Sequence, residues 1–245
     1  MSRLGVQRGV AAFIAGGVFA AALAGSLPAL SAGEGHDEHG GMQAGMKNAG
    51  CLEKIHLYLC AFHIAKENPK FQIEAHHYCS PAGKDVHQCV VFDGNGADAK
   101  LLGVEYIITD AAYRSLPDAE KKYWHPHAYE ILSGQLVAPN MPKEGDDMFP
   151  GLIRTWGKTW HTWRDPATPY PVGEPLLMWS ANGDGQIDDK LVAKRDAKFG
   201  IETKQIRERR KTMNMAVPSL PPPKSMDELG RQFTASGKDE PTMLK

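Results

Sequence analysis

Apolar and polar residues alternate with a period of two from Phe71 to Cys79. In an extended segment Phe71, Ile73, Ala75, His77 and Cys79 share one face, and Gln72, Glu74, His76 and Tyr78 share the other. Ser80-Pro81-Ala82-Gly83 then marks a turn. His87 to Asp93 reads as a second strand, ended by Gly94-Asn95-Gly96, and Lys100 to Thr109 as a third that is apolar on both faces. Short strands joined by short turns predict an antiparallel meander. Leu116 to Trp124 predicts a short helix, with Pro117 in its first turn and Asp118 and Glu120 at the positive end of its dipole. Pro126 disfavours helical geometry at His125, so that helix should stop there. His127 to Val137 reads as another strand, Leu152 to Trp163 as helix or strand, and Leu176 to Ser180 as a short strand. Asp188 to Phe199 reads as a helix capped by Asp188 or Asp189. The expected fold class is α+β: an antiparallel sheet meander with a few short packing helices, in a single domain.

The pattern breaks down at both ends. Arg3 and Arg8 precede an uncharged run from Val10 to Ala24, and Ala29-Leu30-Ser31-Ala32 offers a cleavage site. Residues 1–32 therefore read as a signal peptide, too short and Gly-interrupted for a spanning helix, without the Arg-Arg pair of the twin-arginine route. The expected location is exported, periplasmic or secreted. Residues 33–50 are rich in Gly, His and Met and read as a flexible linker, in which His36, Asp37, Glu38 and His39 could hold a metal loosely. The folded domain is expected over residues 51–203. Residues 204–245 read as a basic, then Pro-rich, extended tail, whose Arg207, Arg209, Arg210 and Lys211 offer a solvated charge run or a contact for anionic lipid. The net charge of -1 gives no bias toward nucleic acid, which is not an expected partner.

Four cysteines in an exported chain permit two disulfides. If the first hairpin is symmetric about Lys84, Cys79 faces Cys89, so the favoured pairs are Cys79–Cys89 and Cys51–Cys60. His125 and His127 are two apart and point to the same side of an extended segment. Together with His77 and Glu105, set among apolar residues, they form a candidate site for a divalent transition metal such as zinc, iron or manganese. The competing reading is a hydrogen-bonded polar cluster, for example His127–Glu105, that fixes the core. Asn182, Asp184, Gly185 and Ile187 fit the middle of a calcium loop, but Ser180 and Leu191 stand where its first and last ligands belong, so the segment reads as a turn before a helix. Trp156, Trp160 and Trp163 fall at helical spacing, which suits core packing or a helix lying in a lipid interface. No nucleophile elbow or phosphate-binding loop is present.

Several stretches together carry a family resemblance: Glu74-Ala75-His76-His77-Tyr78-Cys79, Gln88-Cys89, Leu102-Gly103-Val104-Glu105-Tyr106-Ile107, Trp124-His125-Pro126-His127-Ala128-Tyr129-Glu130, Gly157-Lys158-Thr159 and Lys194-Arg195-Asp196. Over about residues 51 to 203 the chain resembles the oil body-associated protein family of plants, fungi and bacteria, as an exported, bacterial-type member. The resemblance implies a link to lipid surfaces and carries over no catalytic residues. Two functions are therefore expected. One is a non-catalytic exported protein that binds a lipid or membrane surface or an apolar ligand. The other is a metal-binding protein or metal-dependent enzyme using the His/Glu cluster.

Overall fold

Both faces of the first strand are buried, and that decides the architecture. In the computed structural model, which describes residues 49–141, 144–213 and 215–217, β1 (Leu57–Ala65) turns Leu59, Ala61 and His63 one way and Cys60, Phe62 and Ile64 the other. It pairs antiparallel with β2 (Asn68–Pro81), β2 with β3 (Val86–Phe92), and β3 with β4 (Leu101–Thr109). On its other side β1 meets β7 (Leu176–Trp179) at Ile64 and Ala65, and β7 pairs with β6 (Thr155–His161). The expected meander is present but does not stay open: β6 also pairs with β4, from Gly103↔His161 to Thr109↔Thr155, and six strands close into a barrel. The two-residue β5 (His125–Pro126) adds to the other edge of β6.

Closure needs close approach at one point. A Cβ on Gly103 would lie 1.9 Å from the Trp160 carbonyl oxygen and 2.9 Å from His161 Cα, both backbone atoms. Gly103→Ala is expected to open the β4–β6 seam and cost ~2–3 kcal/mol. Gly151, whose added Cβ would meet nothing within 4 Å, supplies the control. Urea unfolding that finds the two alanine variants equally stable would contradict this account of the seam.

Outside the barrel, α1 (Gly50–Glu53) leads in, and α2 (Asp110–Ser115) is capped by the Thr109 hydroxyl, which accepts from the Ala112 N–H at 3.3 Å. The helix expected over Leu116–Trp124 is the single turn α3 (Asp118–Lys121), and the chain is extended again at His125, as Pro126 requires. The strand expected over His127–Val137 is instead helix α4 (Ala128–Leu132), because Ala-Tyr-Glu-Ile-Leu are mostly good helix formers and Ser133-Gly134 ends them. Val137 then forms a lone antiparallel bridge with Cys60. Beyond a 3₁₀ turn and α5 (Phe149–Leu152), α6 (Asp189–Phe199) starts at Asp188, whose side chain accepts from the Lys190 N–H at 2.9 Å.

The stretch expected to be an extended tail begins with helix α7 (Thr203–Lys211). Its Arg210 is buried, donates to the carbonyls of Ile131 and Leu136 at 2.6 and 2.8 Å, and pairs with Asp146 at 3.1 Å. Arg207 and Arg209 are engaged by Asp184 and Asp146. The basic run is therefore not simply a solvated face. Arg210 holds the helix against α4 and the turn after it, Arg209 ties it to the 3₁₀ turn at Asp146, and Arg207 ties it to the turn before α6 at Asp184.

The disulfide Cys79–Cys89 is present, and the two residues are direct register partners. Cys51 and Cys60 are not joined. Cys51 is exposed on α1, whereas Cys60 is buried against Val137 and Ile206, with burial pushing its thiol up to about 12. The tryptophans do not lie on one helix. Trp156 and Trp160 sit on β6, and Trp163 follows it. Trp156 is wholly buried and stacks on Tyr113 with ring centroids 3.7 Å apart; Trp160 and Trp163 are half-buried. Helical spacing (i, i+4) is also even spacing, so Trp156 and Trp160 share a strand face. Trp156 at least is a core residue and does not face lipid. Asp184 in the candidate calcium loop is occupied by Arg207 at 2.7 and 3.2 Å and by the Tyr129 hydroxyl at 2.5 Å, as befits a turn. The expected signal peptide and the expected linker up to residue 48 lie outside the described residues, and the linker's last residue, Gly50, begins α1. Among the described residues no helix is long and apolar enough to cross a membrane.

Candidate metal centre

The barrel interior is polar at one level. Inward-facing positions on β1, β2 and β4 place His63, His77 and Glu105 there. β5 delivers His125, and His127 enters from the N-cap of α4. Sequence reasoning placed His125 and His127 on one extended segment. They reach the same carboxylate, but from a strand and a helix start.

Glu105 is the centre of the group. Its Oε2 lies 2.9 Å from His77 Nε2 and 3.5 Å from His63 Nε2; its Oε1 lies 3.0 Å from His127 Nε2 and 3.8 Å from His125 Nε2. The nitrogens of His63 and His77 are themselves 3.0 Å apart. All five side chains are at least 95 % buried. A small cavity of about 10 Å³, room for one water-sized particle, is lined by His63, His77, Glu105, His127 and Glu130 and by apolar residues such as Leu59 and Ile107.

Supporting residues fix the rings. His127 Nδ1 lies 2.7 Å from the Thr155 hydroxyl, which itself donates to the Leu152 carbonyl at 2.6 Å. The hydroxyl proton is thus committed, so His127 Nδ1 carries the hydrogen and Nε2 turns its free position to Glu105. Only a proton or a metal cation on Nε2 makes that contact attractive. His63 Nδ1 is similarly held, 2.9 Å from His161 Nε2. His125 is different. Its Nδ1 has no partner, as in His77 and His161, but its Nε2 is also beyond hydrogen-bond range of Oε1.

Burial opposes charge on Glu105, yet the imidazoles of His77, His127 and His63 outweigh it and hold the carboxyl well below the usual carboxylate range. Burial drives the imidazoles toward neutrality: His63 falls to about 4, His125 to about 3, and His161 well below its ordinary value. Burial, with Glu105 nearby, raises Glu130 well above a normal carboxyl. The unfolded chain protonates these histidines near pH 6.5, the folded chain only lower. Below about pH 6.5 the unfolded state binds more protons, so stability is lost as the pH falls toward 4. Glu130 works in the opposite direction above about pH 4.5, one group against three. Each net proton is worth about 1.4 kcal/mol per pH unit. The melting temperature of the metal-free chain should therefore fall steadily from pH 6.5 to 4.5, and a flat profile over that range would refute this balance.

Of the residues expected from sequence, His77, Glu105, His125 and His127 meet here. His63 was missed, although a histidine in the apolar run Ala61-Phe62-His63-Ile64 was the available signal. Gly157 was also missed as a site residue. A Cβ there would lie 2.4 Å from Glu105 Oε1 and 2.7 Å from Nε2 of both His125 and His127. The bare glycine leaves space against three donor atoms, a few tenths of an ångström beyond the roughly 2.0–2.2 Å reach of zinc to nitrogen or carboxylate oxygen.

The family profile described as protein of unknown function (DUF1264) matches residues 49–214. Oil body-associated protein 1A of Zea mays is 40% identical over 166 residues, covering 66% of this chain and 69% of that protein. Oil body-associated protein 1B of Arabidopsis thaliana is 35% identical over 169 residues, covering 66% and 68%. Oil body-associated protein 2A of Zea mays is 37% identical over 172 residues, covering 67% of each. No solved structure matches.

Proposed function

The chain belongs to the DUF1264 family of proteins of unknown function, and from that premise we propose that it is an exported metal-binding protein whose barrel encloses a transition-metal centre on His63, His77, Glu105, His125 and His127. The observation that carries the reading is His125, 1% exposed and aimed at a buried carboxylate, with neither ring nitrogen in a hydrogen bond. A buried polar group is ordinarily hydrogen-bonded, and leaving one unpaired costs on the order of 1–3 kcal/mol. A metal ion on Nε2 would satisfy that nitrogen, leaving Nδ1 as the ring's one unpaired atom. A purely structural cluster explains His127 and Glu105 but not His125. Imidazole and carboxylate donors suit zinc, iron or manganese.

Elemental analysis of the purified chain, without an affinity tag, beside a His125→Ala/His127→Ala variant tests this. The expected result is near-stoichiometric transition metal in the wild type that falls in the variant. A wild-type chain that stays metal-free even after loading would reduce the cluster to a structural role.

A second reading concerns lipid. The relatives are named for oil bodies, and the outer face of the barrel exposes Leu101, Val104 and Tyr106 beside Leu52. A shallow cleft of about 230 Å³ there is lined by Leu52, Ile55, Tyr78, Val90 and others. Flotation of the chain with triacylglycerol emulsion droplets would support binding at this face. Failure to float, or flotation unchanged by Val104→Asp/Tyr106→Asp, would remove the support.

A further inference from the structure

We infer that the barrel holds two metal ions bridged by the carboxylate of Glu105. This rests on the metal-binding reading and says how the donors divide. They sort by carboxylate oxygen. Oε2 faces His77 and His63, and Oε1 faces His127 and His125. Each set, two imidazoles and a carboxylate, has donor atoms within 4.8 Å of one another, with Glu105 common to both. An ion with bonds of about 2.1 Å places neighbouring donors about 3–3.4 Å apart. The spacings of 2.9, 3.0 and 3.5 Å in the first set fit one ion. In the second set the 3.0 Å to His127 fits another ion, and the 3.8 Å to His125 must shorten by about 0.4 Å on binding. Two imidazoles and one carboxylate oxygen also form the three-donor face that leaves positions open on a non-haem metal.

Two different spaces accompany the two sets. Above Gly157, the point where a Cβ would stand is bounded by Oε1, His125 and His127. The cavity of about 10 Å³ is lined by His63, His77 and His127 but by neither His125 nor Gly157, so it lies toward the first set and touches the second only at His127. A syn–syn carboxylate bridge spans ions about 3.5–4 Å apart, the separation of two-metal sites that share a small oxygen ligand. Glu130 lines the same cavity, with Oε1 3.9 Å from His127 Nε2, and is the next carboxyl available to balance a second cation.

The experiment is metal stoichiometry on the full, untagged chain in a His36→Ala/His39→Ala background, so that the linker histidines are not counted. The chain is stripped with chelator, loaded with Mn²⁺ or Co²⁺, and desalted. Two equivalents per chain are expected. His63→Ala/His77→Ala and His125→Ala/His127→Ala should each retain one. In the doubly loaded Mn²⁺ form the six-line paramagnetic resonance signal of isolated ions should give way to a broad exchange-coupled spectrum. Where an alanine pair fails to fold by circular dichroism, the single changes His63→Asn and His125→Asn take its place. One equivalent in the wild type, lost in both pairs, would mean a single ion with mixed ligands. That overturns the bridge and leaves the metal-binding reading intact. No metal at all would overturn both.

Discussion

Gly157→Ala should lose its metal while keeping its fold. The added methyl would stand 2.4 Å from Glu105 Oε1 and 2.7 Å from Nε2 of His125 and His127. Those atoms are the ends of side chains packed in the interior, and His127 is further fixed by Thr155, so they have little room to retreat. Crowding of this kind costs about 1–3 kcal/mol of stability, which a barrel of this size should survive. The metal does worse, because the methyl takes space that an ion on Oε1 needs. Affinity is expected to drop on the order of 100-fold or more, beyond the usual effect of disturbing a supporting residue. Equilibrium dialysis against Zn²⁺ reads the affinity, and circular dichroism reads the fold. A folded alanine variant with wild-type affinity would show that the space above Gly157 is not used by an ion.

Arg210→Met should be the most destabilising single change outside the barrel. The guanidinium satisfies the carbonyls of Ile131 and Leu136, pairs with Asp146, and lies 3.9 Å over the Phe149 ring. Methionine fills the volume and makes none of the polar contacts. Asp146 and two carbonyls are left with fewer donors in a buried setting, a loss of about 3–5 kcal/mol. For a domain of this length that lowers the melting temperature by roughly 10 °C. Arg209→Met is the control. Arg209 shares Asp146, but its side chain is 43% exposed, so its loss should cost less than about 1 kcal/mol. Equal melting temperatures for the two variants would mean that Arg210 does not clamp α4.

Local pattern made part of this legible in sequence. The period-two run from Phe71 put His77 on an inward face, and the turn after Cys79 set the register that joins Cys79 to Cys89. β1 was not legible for the opposite reason. It is covered on both sides, so Leu-Tyr-Leu-Cys-Ala-Phe-His-Ile-Ala shows no alternation, and the inward place of His63 appears only once β2 and β7 are beside it. Barrel closure is a relation between segments about fifty residues apart, which no local period can report. Gly157 reads as a flexible residue until the strand bearing Glu105 is known to cross it. In α7 a run of charge hid a clamp, because Arg210 is satisfied by carbonyls of another element and hydropathy counts only the charge.

The closed seam between β4 and β6 also bears on timing. Glu105 lies on one side of it, directly paired with Thr159 on the other, and His125 and His127 reach the carboxylate across β6. During synthesis the donors of β1, β2 and β4 emerge well before those that complete the set, so no finished site exists until the barrel shuts. Once shut, a buried ion exchanges slowly, because donors on several strands must give way before it leaves. Divalent ions rank by intrinsic affinity in nearly the same order at any such set of donors. The identity of the ion would then be decided by which metals surround the chain at the moment of folding, and the compartment in which the barrel closes becomes the source of its selectivity.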